Sequence, residues 1–251
     1  MNDLLRQRLE KAGKRADLYV PNNEVEDYIA DTRFVGVIGP AAVGKSHLIN
    51  YLTRTDERFG KVWSFATRDP RPDDTPDIMR TIEPTDENLE ALVTQIEKGE
   101  VVNYAIHPTT LQIYGTMPES YPETEFALMP TLANSVRQLD RIPFKSHHYI
   151  GLVTDTLTYD QFVQSRAMPP HEKLKRLGEA AASLDWLLSQ PDDNVTIVIN
   201  EVRKEAQVAA EVVEAVSNPD YKTTPAAEKM AERLHSKIER LIDEGNRWLS
   251  A

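Results

Sequence analysis

The sequence predicts a three-layer α/β fold with a mainly parallel sheet. Short strand-like runs recur at residues 34–38, 101–106, 125–129, 147–153 and 195–199, and the first of them is apolar without polar alternation. Such runs suit parallel strands covered on both faces. Segments with apolar residues at helical spacing lie between them, so strands alternate with helices. A third observation is local: the first run leads directly into "GPAAVGKS" at residues 39–46, and helical spacing resumes from Lys45 through Leu48, Ile49 and Leu52.

The other elements follow in order. Residues 1–18 read as a helix with Leu4, Leu5 and Leu9 on one side, and residues 61–65 as a second strand. Proline and aspartate make residues 69–80 a loop. Leu89, Leu92, Val93 and Ile96 then repeat at helical spacing, with Thr85 as N-cap and Gly99 as stop. A long helix before the last strand carries Leu174, Leu177, Ala181, Leu184 and Leu188, and another follows from residue 201. The final helix starts near Thr224 and Pro225 and shows Met230, Leu234, Ile238, Leu241 and Trp248. Its stripe and that of the first helix suit either packing on the core or a dimer contact, and the oligomeric state stays open. The acidic stretch 118–125 reads as a solvated loop, and Met117, Met129 and Met168 as packing residues.

Composition narrows the function classes. The 251 residues are 40% apolar and 27% charged, and no apolar run is long enough for a membrane span. With no cysteine, disulfides, zinc–thiolate sites and thiol catalysis are excluded. The charged start lacks the apolar centre of a secretory signal, so the expected location is the cytoplasm. A net charge of −11 argues against general nucleic-acid binding, though not against a small anion in a locally basic pocket. His147 and His148 point to opposite faces of a strand and make a poor metal pair.

Residues 39–46 match the P-loop (Walker A) spacing G-x-x-x-x-G-K-[ST], with the required strand before and helix after. The first glycine allows the turn, backbone N–H groups face the phosphates, and the helix adds its positive end. The candidate ATP-binding residues are Gly39, Pro40, Ala41, Ala42, Val43, Gly44, Lys45 and Ser46. Lys45 would reach the β- and γ-phosphates and Ser46 would ligate Mg²⁺.

Downstream, "SFATRDPRPDD" (64–74) places Arg68 and Arg71 around a proline. It is followed by "GEVVNYA", "YGT" (114–116), "RLGEA" and "VTIVINEVRKEA". From about residue 33 to 217, the order and spacing of these motifs resemble the guanylate kinase family of P-loop nucleoside monophosphate kinases. The resemblance implies a P-loop kinase core, an inserted acceptor-binding lobe at about 64–118 and a small lid at about 163–176. Residues 1–32 would be an N-terminal helical extension and 218–251 a C-terminal helix. It further implies ATP and Mg²⁺, an acceptor pocket of Ser64, Arg68, Arg71, Asn103, Tyr114 and Thr116, and catalytic roles for Lys45, Arg166 and Arg176. Two guanidinium groups suit an acceptor phosphate, since each binds it bidentately. The alternative for Arg68 and Arg71 is an ion pair with Asp69, Asp73 or Asp74, and for Arg176 a surface charge on a helix.

The sequence departs from the family's pattern. A second phosphate-binding tyrosine falls near Ile78, the base-reading glutamate on Asn103, the base-reading aspartate near Met129 and an early lid arginine on Phe162. Losing both carboxylates removes the acceptors that pair with a guanine edge, although Asn103 can still accept one bond. The implied activity is transfer of the ATP γ-phosphoryl to a nucleoside monophosphate such as GMP. Another nucleotide or a phosphosugar is an alternative acceptor. A nucleotide-binding or interaction module with weak catalysis is the other reading, against which Lys45 and Ser46 stand intact.

Overall fold

The computed structural model describes residues 1–71, 74–164, 169–190 and 194–249. Its strands are β1 (Arg33–Ile38), β2 (Phe59–Lys61), β3 (Ser64–Ala66), β4 (Met79–Thr81), β5 (Asn103–Ile106), β6 (Ile113–Thr116), β7 (Phe126–Pro130), β8 (Ser146–Val153) and β9 (Val195–Ile199). They sort into a five-stranded sheet, β2-β7-β1-β8-β9, and a four-stranded sheet, β4-β3-β6-β5. In the first, β2–β7 and β8–β9 run parallel. In the second, β6 pairs antiparallel with β3 and β5, while β3 and β4 run parallel. The helices are α1 (Asp3–Arg15), α2 (Asn23–Ile29), α3 (Lys45–Thr55), α4 (Asp86–Lys98), α5 (Val136–Leu139), α6 (Thr156–Gln164), α7 (Pro170–Ser189), α8 (Glu205–Ser217) and α9 (Pro225–Leu249). The expected mainly parallel α/β architecture is present. Among the described residues no helix is long and apolar enough to cross a membrane.

The chain divides into two compact units. One comprises Met1–Phe34, Glu57–Met129 and Asn134–His147. In it, α1 and α4 lie on one face of the four-stranded sheet. Leu5, Leu9, Leu92, Val93 and Ile96 pack there with Phe65, Tyr104 and Ile113. Both helix starts are capped: the Asn2 side chain accepts from Leu5 N–H, and Thr85 from Asn88 N–H. Helix α4 stops at Gly99, which is left-handed with φ +77° and approaches the Asn22 backbone so closely that a Cβ would meet it at 2.7 Å.

The second unit comprises Val35–Asp56, Pro130–Ala133 and His148–Ala251. Helices α8 and α9 pack on β9, α3 on α8, and α7 on α9. Leu234 and Ile238 of α9 and Leu184 of α7 are fully buried. Gly151 lets α7 come close to β8, since a Cβ there would stand 2.6 Å from a Leu187 methyl.

Several expectations need correction. The strand expected at residues 61–65 is two strands, because the chain changes partner midway: β2 pairs with β7, whereas β3 pairs with β4 and β6. Alternation of apolar residues carries no sign of a change of partner. The expected loop 69–80 ends in β4, a three-residue strand held by its neighbour β3. Leu4 is 68% exposed, and the buried stripe of α1 is Leu5, Leu9 and Ala12. Leu188 is likewise exposed, and Leu187 is buried in its place. The stretch 118–125 is not simply solvated, because Ser120 and Tyr121 are buried. Asp73 and Met168, and the side chain of Trp248, lie outside the described residues.

Truncating Leu234 removes a fully buried side chain from α9. Leu234→Ala is expected to cost about 2–5 kcal/mol, read as a lower urea midpoint. An unchanged midpoint would mean that α9 carries no core.

Candidate phosphate-binding and acceptor sites

In the unit containing α3, residues 39–46 run from the end of β1 into the first turn of that helix. Two backbone features shape them. Gly44 is left-handed with φ +97°, and a Cβ on it would meet the Asn200 amide nitrogen at 2.5 Å. Ala42 also has a positive φ of 68°, a conformation that costs a non-glycine residue about 1–2 kcal/mol. Strain retained in a loop that opens a helix is characteristic of binding sites.

The Lys45 ammonium donates to the Gly39 and Pro40 carbonyls at 2.6 and 2.8 Å, so it folds over its own loop. The first N–H groups of α3 have no acceptor within the helix, and the helix dipole places positive charge there. Together these features fit an oligophosphate: backbone donors, a cation, and glycine where a side chain would obstruct. Ser46 is exposed in the first turn of α3. Mg²⁺ binds through few protein ligands plus phosphate oxygens and water, and one hydroxyl at this position suits that habit.

Asn200, which the sequence reading left without a role, holds the loop. Its side-chain N–H donates to the Val43 carbonyl at 2.7 Å. Its backbone N–H donates to Val153 at 2.7 Å, and its carbonyl accepts from the Thr154 hydroxyl at 2.9 Å. The first polar residue after β9 therefore fixes both the loop and the end of β8. The signal was a lone amide ending an apolar strand.

Ala41 and Ala42 line a crevice of about 10 Å³ with Tyr159, Lys173, Arg176 and Leu177. That is room for a single water. Arg176 thus stands beside the loop, while also donating to the Glu172 carboxylate in an i,i+4 ion pair at 3.0 Å. Lys173, one turn earlier, is a second cation that the sequence reading missed. Arg166 lies outside the described residues.

The acceptor candidates all belong to the other unit, and strand register gathers them. Asn103 is opposite Thr116, Ala105 opposite Tyr114, and Tyr114 opposite Ala66. Alternation along β3 adds Ser64, two residues before Ala66, to the same face. Ser64, Asn103, Tyr114 and Thr116 therefore share the sheet face opposite the α1–α4 core. On the far side Gly115 leaves room for the Phe65 ring, which a Cβ would meet at 2.8 Å.

Arg68 lies two residues beyond Ala66 and is only 7% exposed. It binds Asp74 bidentately, at 2.7 and 2.8 Å, and donates to the Asp69 carbonyl at 2.8 Å. These hydrogen bonds hold the Asp74 carboxyl below the usual carboxylate range. The Arg71 backbone N–H joins the same carboxylate at 2.7 Å, while its side chain is exposed. The ion-pair alternative with Asp74 is thus the arrangement present for Arg68.

Asn103 is buried and accepts from the Thr116 hydroxyl at 2.9 Å. Thr116 has one proton to give, so the buried Tyr121 hydroxyl, 3.1 Å away, donates to it. The Asn103 oxygen thus already takes one hydrogen bond within the sheet, which leaves it a single further acceptor position. Tyr121 had no sequence signal, because it sits in an acidic stretch. The histidines are occupied too: the His147 ring nitrogen contacts the Leu139 carbonyl, and that of His148 the Thr196 hydroxyl. Burial lowers His148 to about 4, so it is neutral near pH 7.

Removing the Asn200 clamp tests the loop. Asn200→Ala is expected to weaken nucleotide binding about three- to tenfold, the scale of one net hydrogen bond of about 1 kcal/mol. Calorimetric titration measures it, and unaltered affinity would show that the loop keeps its form without Asn200.

No family model matches the sequence, and no curated protein matches it. Among solved structures, the crystal structure of guanylate kinase from Anaplasma phagocytophilum aligns with a TM-score of 0.48 and 13% identity, over 78% of this chain and 88% of that one.

Proposed function

We propose that the protein is an ATP-dependent phosphotransferase acting on a phosphorylated small acceptor, with a nucleoside monophosphate such as GMP as the first candidate and another nucleotide or a phosphosugar as alternatives. The observation that carries this reading is the 39–46 loop, with its left-handed Gly44 and Ala42, the Lys45 ammonium folded over it and α3 beginning behind it. ATP would lie with its phosphates against these donors. Bound Mg²⁺ would supply charge neutralisation between phosphate oxygens, with Ser46 as its protein ligand.

Lys45 would stabilise charge on the migrating phosphoryl, and Arg176 and Lys173 supply cations beside the loop. Phosphoryl transfer rests on positioning and electrostatics. An acceptor that is already a phosphate anion needs no general base. Arg68 supports the acceptor role through its present partner. A carboxylate and a phosphate offer the same two-oxygen edge to a guanidinium, so Asp74 occupies the fork in the manner an acceptor phosphate would.

A second reading is a nucleotide-binding module with weak transfer. Asp74 in the Arg68 fork and Glu172 on Arg176 favour it, since both cations are already neutralised. Measuring ATP consumption against a panel of nucleoside and sugar monophosphates separates the two.

Two outcomes are expected. Lys45→Ala should lower turnover a hundredfold or more, about 3 kcal/mol or above in the transition state, with the thermal melt retained; near-normal turnover would sink the kinase reading. On the acceptor panel, GMP should not lead by a large factor, because the Asn103 oxygen already takes one hydrogen bond and Met129 offers no carboxylate. A thousandfold GMP preference in kcat/KM, about 4 kcal/mol, would show that other groups read guanine.

A further inference from the structure

A cleft of about 660 Å³ opens in the first unit between α1, residues 18–22 and the end of α4. Its volume is in the range of small-ligand sites, and it shares no residue with either candidate site described above. One wall is cationic. Arg8, Lys11 and Arg15 follow at i, i+3 and i+7 along one side of α1, and Lys98 faces the cleft from α4. Glu97 neutralises Arg8 at 2.7 Å. Lys11 and Arg15 are exposed, and Lys98 is 60% exposed with its paired acid, Glu100, 3.7 Å away. Among the lining residues four cations stand against one acid, Glu97, in a chain of net charge −11, while Glu90 and Glu100 pair with Arg8 and Lys98 from beside the cleft.

The floor is aromatic. Tyr19 and Tyr104 meet edge to face with centroids 4.9 Å apart. Their hydroxyls donate to the Val101 and Ala12 carbonyls; Tyr104 is buried and backs the half-buried Tyr19 ring, which presents the apolar surface to the cleft. Burial raises the Tyr104 phenol to about 12, with the charge of Arg15 acting against it. At the rim Leu18 and Val20 are 65% and 48% exposed, apolar surface with no cover in the described chain.

We propose that this cleft binds a small anion carrying an aromatic body, of the class of a nucleoside phosphate. The anionic end would lie on Lys11, Arg15 and Lys98 and the ring over the tyrosine floor. Exposed cations dominate the anion contact, so affinity must fall as salt rises.

The test is a calorimetric titration of the full chain with ADP, in a Lys45→Ala background that removes the cation of the 39–46 loop, so that binding left at the loop is told from binding in the cleft by its indifference to substitutions on α1. The expected result is one binding event that persists in Lys45→Ala, weakens at high salt, and weakens tenfold or more when Lys11→Glu and Arg15→Glu are added. Both side chains are exposed, so the thermal melt should be retained; the neutral pair Lys11→Gln and Arg15→Gln, expected to give a smaller loss in the same direction, guards against disruption of α1 by charge reversal. Titration with inorganic phosphate should show much weaker binding than ADP. The proposal is overturned if ADP does not bind the Lys45→Ala protein, if the α1 substitutions leave that binding unchanged, or if phosphate alone binds as well as ADP.

Discussion

Gly44 sits in a left-handed turn directly beneath the Asn200 amide, and the loop around it can take its form only while that position has no side chain. The same amide fixes the carbonyl of Val43. Through Asn200, the end of β9 becomes part of the loop's support. A covered parallel strand followed by a helix is common to many folds. What distinguishes this junction is that the glycine and the amide are each demanded by the other's position. A Cβ at 44 would displace Asn200, and loss of Asn200 would leave the Val43 carbonyl seeking another donor.

The four-stranded sheet obeys a different constraint. Side chains alternate across it, so one register decides both what faces the α1–α4 core and what faces away. Phe65, Tyr104 and Ile113 must be inward, and that requirement alone turns Ser64, Asn103, Tyr114 and Thr116 outward. A slip of one residue would turn the polar set toward the α1–α4 core and the aromatic one away from it. The polar face is in this sense a by-product of hydrophobic burial, and the chain from Tyr121 through Thr116 to Asn103 then satisfies its buried hydroxyls.

Much of this was legible in the sequence, wherever a local signal coincided with a local cause. The 39–46 motif, Thr85 and Gly99 at the ends of α4, and the covered strands all announce themselves within a few residues. The elements misread depend on partners distant in sequence. Residues 59–66 divide because their two halves pair with different strands, and Met79–Thr81 becomes a strand only beside β3. Leu187 in place of Leu188, and Leu5 in place of Leu4, reflect the helix rotation that packing selects between adjacent leucines. Among the candidate site residues, types and faces were legible but pairings were not. Arg68 was open between a ligand phosphate and three aspartates, and spacing cannot tell which carboxylate reaches it. Asn200 acts on a residue well over a hundred positions away, and the lone amide ending an apolar strand does not say which carbonyl it reaches; Tyr121 acts five positions away with no sequence signature.

The Asp74 carboxylate in the fork of Arg68 would make any anion binding there an exchange. An incoming anion gains only the difference between its own contacts and those Asp74 gives up. A singly charged carboxylate replaces like with like and wins little, whereas a phosphate dianion brings more charge to the same two donors. At such a site the pair would act as a threshold on charge density. Because Asp74 is held in its ionised form below the ordinary range, that threshold would be maintained near neutral pH and would fall away only in acid, as pH drops through the depressed value and the resident competitor becomes neutral.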